Sequence, residues 1–298
     1  MVEIPFRRDL AFEYGRLETL SPLIRRVVAR NPSPFTLHGT GTYVVGYGRV
    51  AVIDPGPTLP EHIDALLHGL SGETIEHILV THTHLDHSPA SAAVKRATGA
   101  STHSYGPHAA AAGPAVEEGG DRDFVPDRVL RDGDTVAGPG WHLTAVHTPG
   151  HTSNHLCFAL EEERVLFSGD HVMGWSTSVI APPDGNMRDY LSSLGKLLER
   201  EDSVYWPTHG PAITDPKPFV RAFIEHRRER EAAILDRLAQ GDSEIRQMVR
   251  AIYLGLPQVL HAAAGRSVLA HLIELVAEGR VLSDGPPTVE TRYRLNTP

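Results

Sequence analysis

The sequence holds one cysteine, Cys157, in 298 residues. That excludes an intrachain disulfide and any metal site built from clustered thiolates. It also favours a reducing compartment, so a cytoplasmic location is expected. No stretch approaches the roughly 18 consecutive apolar residues of a membrane-spanning helix, and no membrane partner is expected. The opening, MVEIPFRRDLAFEYGRLE, mixes acids, bases and apolar residues with no apolar run before a small-residue cleavage site. No signal peptide is therefore expected. Positive charge is short as well: 28 Lys and Arg face 37 Asp and Glu, a formal net charge of −9. A dedicated nucleic-acid binder usually carries the opposite balance. The deficit is uneven, with residues 1–216 at −11 and residues 217–298 at +2. What the sequence does have is 41% hydrophobic residues, enough for a buried core, and 18 histidines, its compositional extreme.

The order of elements places those histidines. Thr42 to Ile53 is β-rich and folds back at Gly46–Gly48, which predicts a hairpin that stops at Asp54-Pro55-Gly56-Pro57. A short helix follows from about Pro60 to Leu70, with Ile63, Leu66, Leu67 and Leu70 on one face. Ile75 to Val80 reads as a strand. Ser88 and Pro89 suit the start of a helix that Gly99 ends. Residues 109–120, rich in Ala and Gly, read as a loop or lid. Strands are expected at Leu143–Val146, His155–Leu160, Val165–Phe167 and Val204–Trp206, and a helix at Ser192–Leu198. The alternation of strands and helices gives the class as α/β, in an αββα sandwich or a related layering.

A second unit is expected over residues 217–298, after a first unit of residues 1–216. Phe219, Val220, Phe223, Ile224, Ile234, Leu235 and Leu238 mark a long amphipathic helix ending at Gly241. Asp242-Ser243 is placed to cap a second helix. Pro257 opens a third that Gly279 closes, and two strands around Asp284-Gly285-Pro286-Pro287 complete a winged helix. The arginines of the first helix (Arg221, Arg227, Arg228, Arg230, Arg237) alternate with acids and read as a solvated face.

The chemistry centres on Thr81-His82-Thr83-His84-Leu85-Asp86-His87, at the end of a strand. On extended backbone His82 and His84 share one side and Thr83 the other, while Asp86 and His87 turn toward a second position. Imidazole and carboxylate suit zinc or another divalent metal. His151, Asp170 and His209 lie at similar strand ends, each beside Gly or Pro. If each of the two positions holds a divalent ion, the pair would share a bridging hydroxide and activate it at neutral pH. The summed charge of such a site is about +1, which draws an anionic or carbonyl-containing small molecule. Asp86 can orient the hydroxide or move its proton, a catalytic role.

Taken in order, Asp54, His82-x-His84-x-Asp86-His87, His151, Asp170 and His209 resemble the ligand motifs of the metallo-β-lactamase-fold hydrolases, over roughly residues 35–215. The C-terminal winged helix resembles the β-lactamase-like protein 2 subgroup. So do Asn31-Pro-Ser-Pro-Phe-Thr-Leu-His-Gly-Thr and Gly169-Asp-His-Val-Met-Gly-Trp-Ser-Thr. The resemblance implies that His82, His84 and His151 hold one metal, that Asp86, His87 and His209 hold another, and that Asp170 bridges them. It places Asp54 behind the ligand loops as a hydrogen-bond acceptor. Two positions depart from the pattern: Gly41 stands where relatives often carry Asn, and Thr208 where Gly is common. Both are expected to alter the cleft wall. Flavodiiron-type oxidoreductases of this fold carry Glu where this chain has His84, which disfavours a redox role.

Zinc is the expected metal, with iron and manganese also compatible with a ligand set that lacks thiolate. His155 is a candidate partner behind the ligands, and Trp175 and Thr177 are candidates for the cleft wall. His171 is expected to point away from the metals. His38, His103, His108, His147, His226, His261 and His271 are read as structural or surface residues, and Cys157 as a small buried hydrophobe. Three functions compete. The first is a metal-dependent hydrolase of an ester, thioester or lactam. The second is an endoribonuclease, implied by the subgroup, with RNA as partner. The third is a non-enzymatic winged-helix binding module. The third helix carries only Arg266 as a base, so the winged helix is expected to cap the cleft or to form a homodimer contact.

Overall fold

Strands β1 (Glu18–Thr19), β2 (Ile24–Val28), β3 (Gly41–Val45), β4 (Arg49–Ile53), β5 (Thr74–Leu79), β6 (Ser101–Ser104) and β7 (Arg128–Val129) form one sheet in chain order. The computed structural model describes residues 2–107 and 119–296, so the loop or lid expected at residues 109–120 lies almost wholly outside the described residues, as does His108. The strands pair antiparallel as far as β4 and parallel from β4 to β7. A second sheet contains β8 (Thr135–Gly138), β9 (Trp141–His147), β10 (Leu156–Leu160), β11 (Val165–Gly169) and β12 (Val204–Pro207), in the order β12-β11-β10-β9-β8.

Side-chain alternation decides how the sheets stack. From β4, Ala51 and Ile53 face the second sheet, while Val50 and Val52 face outward. From β10, Leu156, Phe158 and Leu160 face the first sheet, and Cys157 and Ala159 face the other way. Every strand with two apolar faces therefore needs two partners. Helices α1 (Pro60–Gly69) and α2 (Ser91–Thr98) cover the outside of the first sheet with Ile63, Leu66 and Val94. Helices α3 (Met187–Leu198) and α4 (Pro216–Ala239) cover the second with Tyr190, Leu194, Phe219 and Phe223. The result is the αββα sandwich.

The C-terminal unit adds α5 (Ile245–Ile252), α6 (His261–Ala277) and the two-stranded wing β13 (Val281–Ser283) and β14 (Tyr293–Leu295). Helix α4 belongs to both units. Its first half sits in the sandwich core, and its second half gives Ile234 and Leu238 to the core of the winged helix. The boundary expected at 216/217 falls in its first turn. With the turn before it, α6 is long and apolar enough to cross a bilayer by length and composition alone. Its apolar residues are spent on packing, since Val268, Leu272 and Leu275 are fully buried.

Local departures have local causes. Helix α2 begins at Ser91 rather than Ser88, because the Ser88 hydroxyl donates to Asp121 Oδ2 at 2.7 Å instead of capping a helix. Gly99 does end it, at φ +78°. Helix α5 is capped by Glu244 in a reciprocal box with Gln247, not by Asp242-Ser243.

Candidate metal centre

All the ligand candidates sit where strands end on one edge of the sandwich: after β4 (Asp54), β5 (82–87), β9 (His151), β11 (Asp170) and β12 (His209). Backbone bonds knit this edge together, including Asp54 N to Leu79 O at 2.9 Å, Leu156 N to Thr81 O at 2.7 Å and Thr208 N to Gly169 O at 3.2 Å. Their side chains meet in three overlapping groups, His82/His84/His151, His82/His87/Asp170 and Asp86/His87/His209, each with donor atoms within 4.8 Å of one another. His84 Nδ1 lies 2.9 Å from His82 Nε2 and 3.2 Å from His151 Nε2. Asp170 Oδ2 lies 3.5 Å from both His87 Nε2 and His209 Nε2, and 3.9 Å from His151 Nε2. Two donors on one tetrahedral zinc stand about 3.3 Å apart, which these separations match. Thr83 faces the other way, its hydroxyl accepting from Asn154 Nδ2 at 2.8 Å.

Charge divides the cluster. Burial, with the neighbouring histidines His87, His84 and His151, holds His82 well below the ordinary imidazole value. Burial and His151 push His84 down to about 3. Burial acts the same way on His87, but Asp86, Asp170 and Asp54 outweigh it and hold this ring well above its usual value. His209 is raised to about 10 because Asp170 and Asp86 outweigh burial there too. Protons on His87 and His209 thus balance the carboxylates of this half. A divalent cation would take that role and release them. Nε2 of His87, Nε2 of His209 and Oδ1 of Asp170 are buried without a hydrogen-bond partner among the described residues. Orphaned donors that face each other fit a metal pair better than a hydrogen-bond network.

The supporting residues explain the rigidity. Asp54 is fully buried and held at φ +49°, a left-handed conformation that Asp tolerates better than most residues. It accepts from Thr81 N and Thr81 Oγ1 at 2.7 Å each, and from His87 Nδ1 and Thr208 Oγ1 at 2.9 Å each. His155 accepts from Asp170 N at 3.2 Å and meets Thr148 Oγ1 at 2.9 Å, so it fixes the backbone that carries Asp170. A Cβ on Gly169, at φ +53°, would stand 2.5 Å from His155 Nε2, so only glycine lets the ring approach. The two departures, Gly41 and Thr208, meet through Gly41 N to Thr208 O at 2.8 Å. They lie behind the ligands, correcting the expectation that they shape the cleft wall: Thr208 instead adds a hydrogen bond to Asp54.

The cleft opens over His84, Asp86, His151, Asp170 and His209. Phe35, Met173, Trp175 and Thr177 line it from the sandwich, and Tyr253, Leu256, Leu260 and Ala264 from the winged helix. His171 is buried against Tyr190, outside the three ligand groups. Two residues were misread in the sequence. His226, expected to be structural or surface, lines the cleft. Arg227, expected on a solvated face, is 3% exposed and also lines the cleft. The signal was present in the helical spacing, since Arg227 lies four residues after Phe223 and seven before Ile234 on the buried face of α4. Elsewhere Cys157 is buried with its thiol pushed up to about 12 by burial, and His103 pairs with His77 at 3.1 Å.

An αββα sandwich with histidines and aspartates converging at one strand edge defines a class of metal-dependent hydrolases, here with a winged helix over the cleft. Residues 36–209 match the model of the metallo-beta-lactamase superfamily, and residues 245–286 that of the beta-lactamase associated winged helix domain. The chain belongs to the metallo-beta-lactamase superfamily and is a hydrolase of that fold. It is 34% identical to a beta-lactamase-like protein 2 homolog of Caenorhabditis elegans, over 89% of this chain and 88% of that protein. It is 32% identical to an atrochrysone carboxyl ACP thioesterase of Aspergillus terreus, over 76% of this chain and 67% of that protein. Among solved structures, a beta-lactamase domain protein from Burkholderia ambifaria superposes with a TM-score of 0.80 at 21% identity, covering 96% of this chain and 95% of that one.

Proposed function

We propose that this chain hydrolyses an ester or thioester of a small acyl compound with two divalent metal ions, zinc being the first choice. The convergence of seven donors, five of them on the wall of one cleft, carries this reading. His82, His84 and His151 would hold one ion and Asp86, His87 and His209 the other, with Asp170 between them. When bound, the pair supplies an activated water and a Lewis acid for the acyl oxygen. Water oxygen adds to the acyl carbon, the carbon–sulfur or carbon–oxygen bond breaks, and the departing thiol or alcohol leaves with a proton.

The protein's own groups orient this chemistry. Asp86 faces the cleft and is placed to take the proton of the attacking water. Its Oδ2 stands 3.1 Å from His209 Nε2, the ring with which it would share an ion. His151 is fixed by Nδ1 against Val179 O at 2.7 Å. Phe35, Met173 and Trp175 keep bulk water from the acyl chain. The Aspergillus relatives named as acyl-carrier thioesterases favour a thioester over a lactam.

The winged helix supports a cleft-shaping role over RNA binding. Helix α6, the one that would enter a groove, is buried along most of its length and turns Ala263, Ala264 and Ser267 to the cleft. Elemental analysis beside a panel of acyl thioesters, aryl esters, a lactam and single-stranded RNA tests the reading. About two metal ions per chain and turnover of thioesters or esters are expected. Metal-replete protein that cleaves only RNA overturns it.

A further inference from the structure

Arg227 is the unexplained charge of this molecule. Its side chain comes from the buried face of α4 into the wall of the cleft, at 3% exposure. A guanidinium buried with no anion beside it is unfavourably placed, and an anionic ligand would compensate it. No carboxylate pairs with it among the described residues. Its Nη2 donates to Ser178 O at 2.5 Å, and the guanidinium stands 5.1 Å over the Tyr190 ring. Its Nε is buried with no hydrogen-bond partner. Among the described residues, the carboxylates on the cleft wall are Asp86 and Asp170, and both belong to the ligand set. The loop that holds Arg227 also holds the metal ligands: Ser178 Oγ donates to Asp170 O at 2.5 Å, and the next residue, Val179, accepts from His151. A group seated on Arg227 is therefore one loop away from the reacting centre.

We propose that Arg227 anchors a carboxylate on the acyl part of the substrate, so that the preferred substrate is the monothioester of a dicarboxylic acid. This rests on the hydrolase reading above and narrows its substrate class. Arg227 stands in a cleft wall that it shares with the apolar Phe35, Met173, Trp175, Leu256 and Leu260 and with the neutral polar Thr177, Ser267 and Tyr253. An acyl chain then lies along the apolar wall, its thioester at the metal end and its free carboxylate at Arg227. A charge-assisted bond of this kind is strong enough to set selectivity.

Two measurements on the full-length, metal-replete protein test it. The first compares N-acetylcysteamine thioesters of a dicarboxylic acid with the same compounds methylated at the free carboxylate. Wild type is expected to favour the free acid by roughly tenfold or more in kcat/KM, through KM. Arg227→Met should bring that ratio near one, and Arg227→Lys should keep part of it. The second measures binding of the dicarboxylic acid itself by calorimetry, with no turnover required. Weaker binding to Arg227→Met at unchanged metal content supports the anchor. If no thioester is turned over but this difference persists, the thioester reading fails and the anchor stands. Equal turnover of acid and methyl ester by wild type overturns the proposal, and needs no variant to fold. So does equal calorimetric binding by wild type and Arg227→Lys and Arg227→Met.

Discussion

Asp54 and Asp170 are both buried aspartates on the same strand edge, yet their oxygens face different partners. Asp54 spends its oxygens on Thr81, His87 and Thr208, none on the space between the ligand groups. Replacing it by Asn puts an amide NH2 where donors already point. Asp54→Asn should therefore weaken metal affinity by roughly 10–100-fold while leaving every ligand present. Competition with a chromogenic chelator measures this, and unchanged affinity would show that the ligand loops hold themselves. Asp170 faces His87, His209 and His151, so Asp170→Ala should lose turnover altogether and retain fewer than two metals. Near-normal hydrolysis by that variant would remove Asp170 from the site. Asp170 was legible from its place beside Gly169 at a strand end, whereas the role of Asp54 came only through the family resemblance, since no close spacing ties it to the histidines. Arg227 was not legible, because a cation among alternating acids and bases reads as a solvated face until the helix face is known.

Elements were legible to the extent that their apolar residues alternate. The hairpin of β3 and β4 and the strands β10 and β11 show two apolar faces and could be read directly. Strand β2 was missed because Arg25 and Arg26 interrupt it. Both are buried, Arg25 against Glu73 at 2.5 Å and Arg26 near Glu18 at 3.9 Å. Strand β6, Ser-Thr-His-Ser, has no apolar residue to show, and its place comes from pairing with β5. Helix α3 was expected at Ser192 but begins at Met187, where Asn186 accepts from Asp189 N at 3.0 Å. The same asparagine donates its backbone N–H to Gly150 O at 2.8 Å, tying the helix start to the turn before His151. Asn186→Ala should cost about 1 kcal/mol of stability, read as a lower denaturation midpoint at unchanged slope. A stability equal to wild type would mean that packing alone sets this helix start.

At the scale of the whole molecule, two properties follow from how much polar chemistry is buried. Away from the ligands, burial holds His62 and His103 at about 4, and His226 and His271 at about 3. The unfolded chain takes up these protons near pH 6.5, while the native protein refuses them until the pH falls further. The unfolded state then binds more protons, so stability rises with pH across this window and is lost as pH drops from about 6.5 toward about 3. Urea midpoints of metal-free protein should fall steadily through that range. A flat profile would mean that these rings are solvated in the native state.

The second property concerns how the two units depend on each other. Among the described residues the candidate metal ligands end at His209, and none of them comes from the winged helix. Removing residues 217–298 would nonetheless strip the sandwich as well as the cleft, because Phe219, Val220 and Phe223 of α4 belong to the sandwich core beside Tyr190 and Leu194. A chain ending at Asp215 leaves the outer face of the second sheet and of α3 bare, and should aggregate. A chain ending at Gly241 keeps that cover and exposes only the far half of α4, chiefly Ile234 and Leu238. It should fold, hold as much metal as the full protein, and bind substrate less well because Tyr253, Leu256 and Leu260 no longer close the cleft. Metal content and thioester kinetics of the two truncations decide the matter. A well-folded chain ending at Gly241 that binds no metal would require the winged helix to order the ligand loops, through contacts such as Ile180 N to Ser267 Oγ at 3.4 Å.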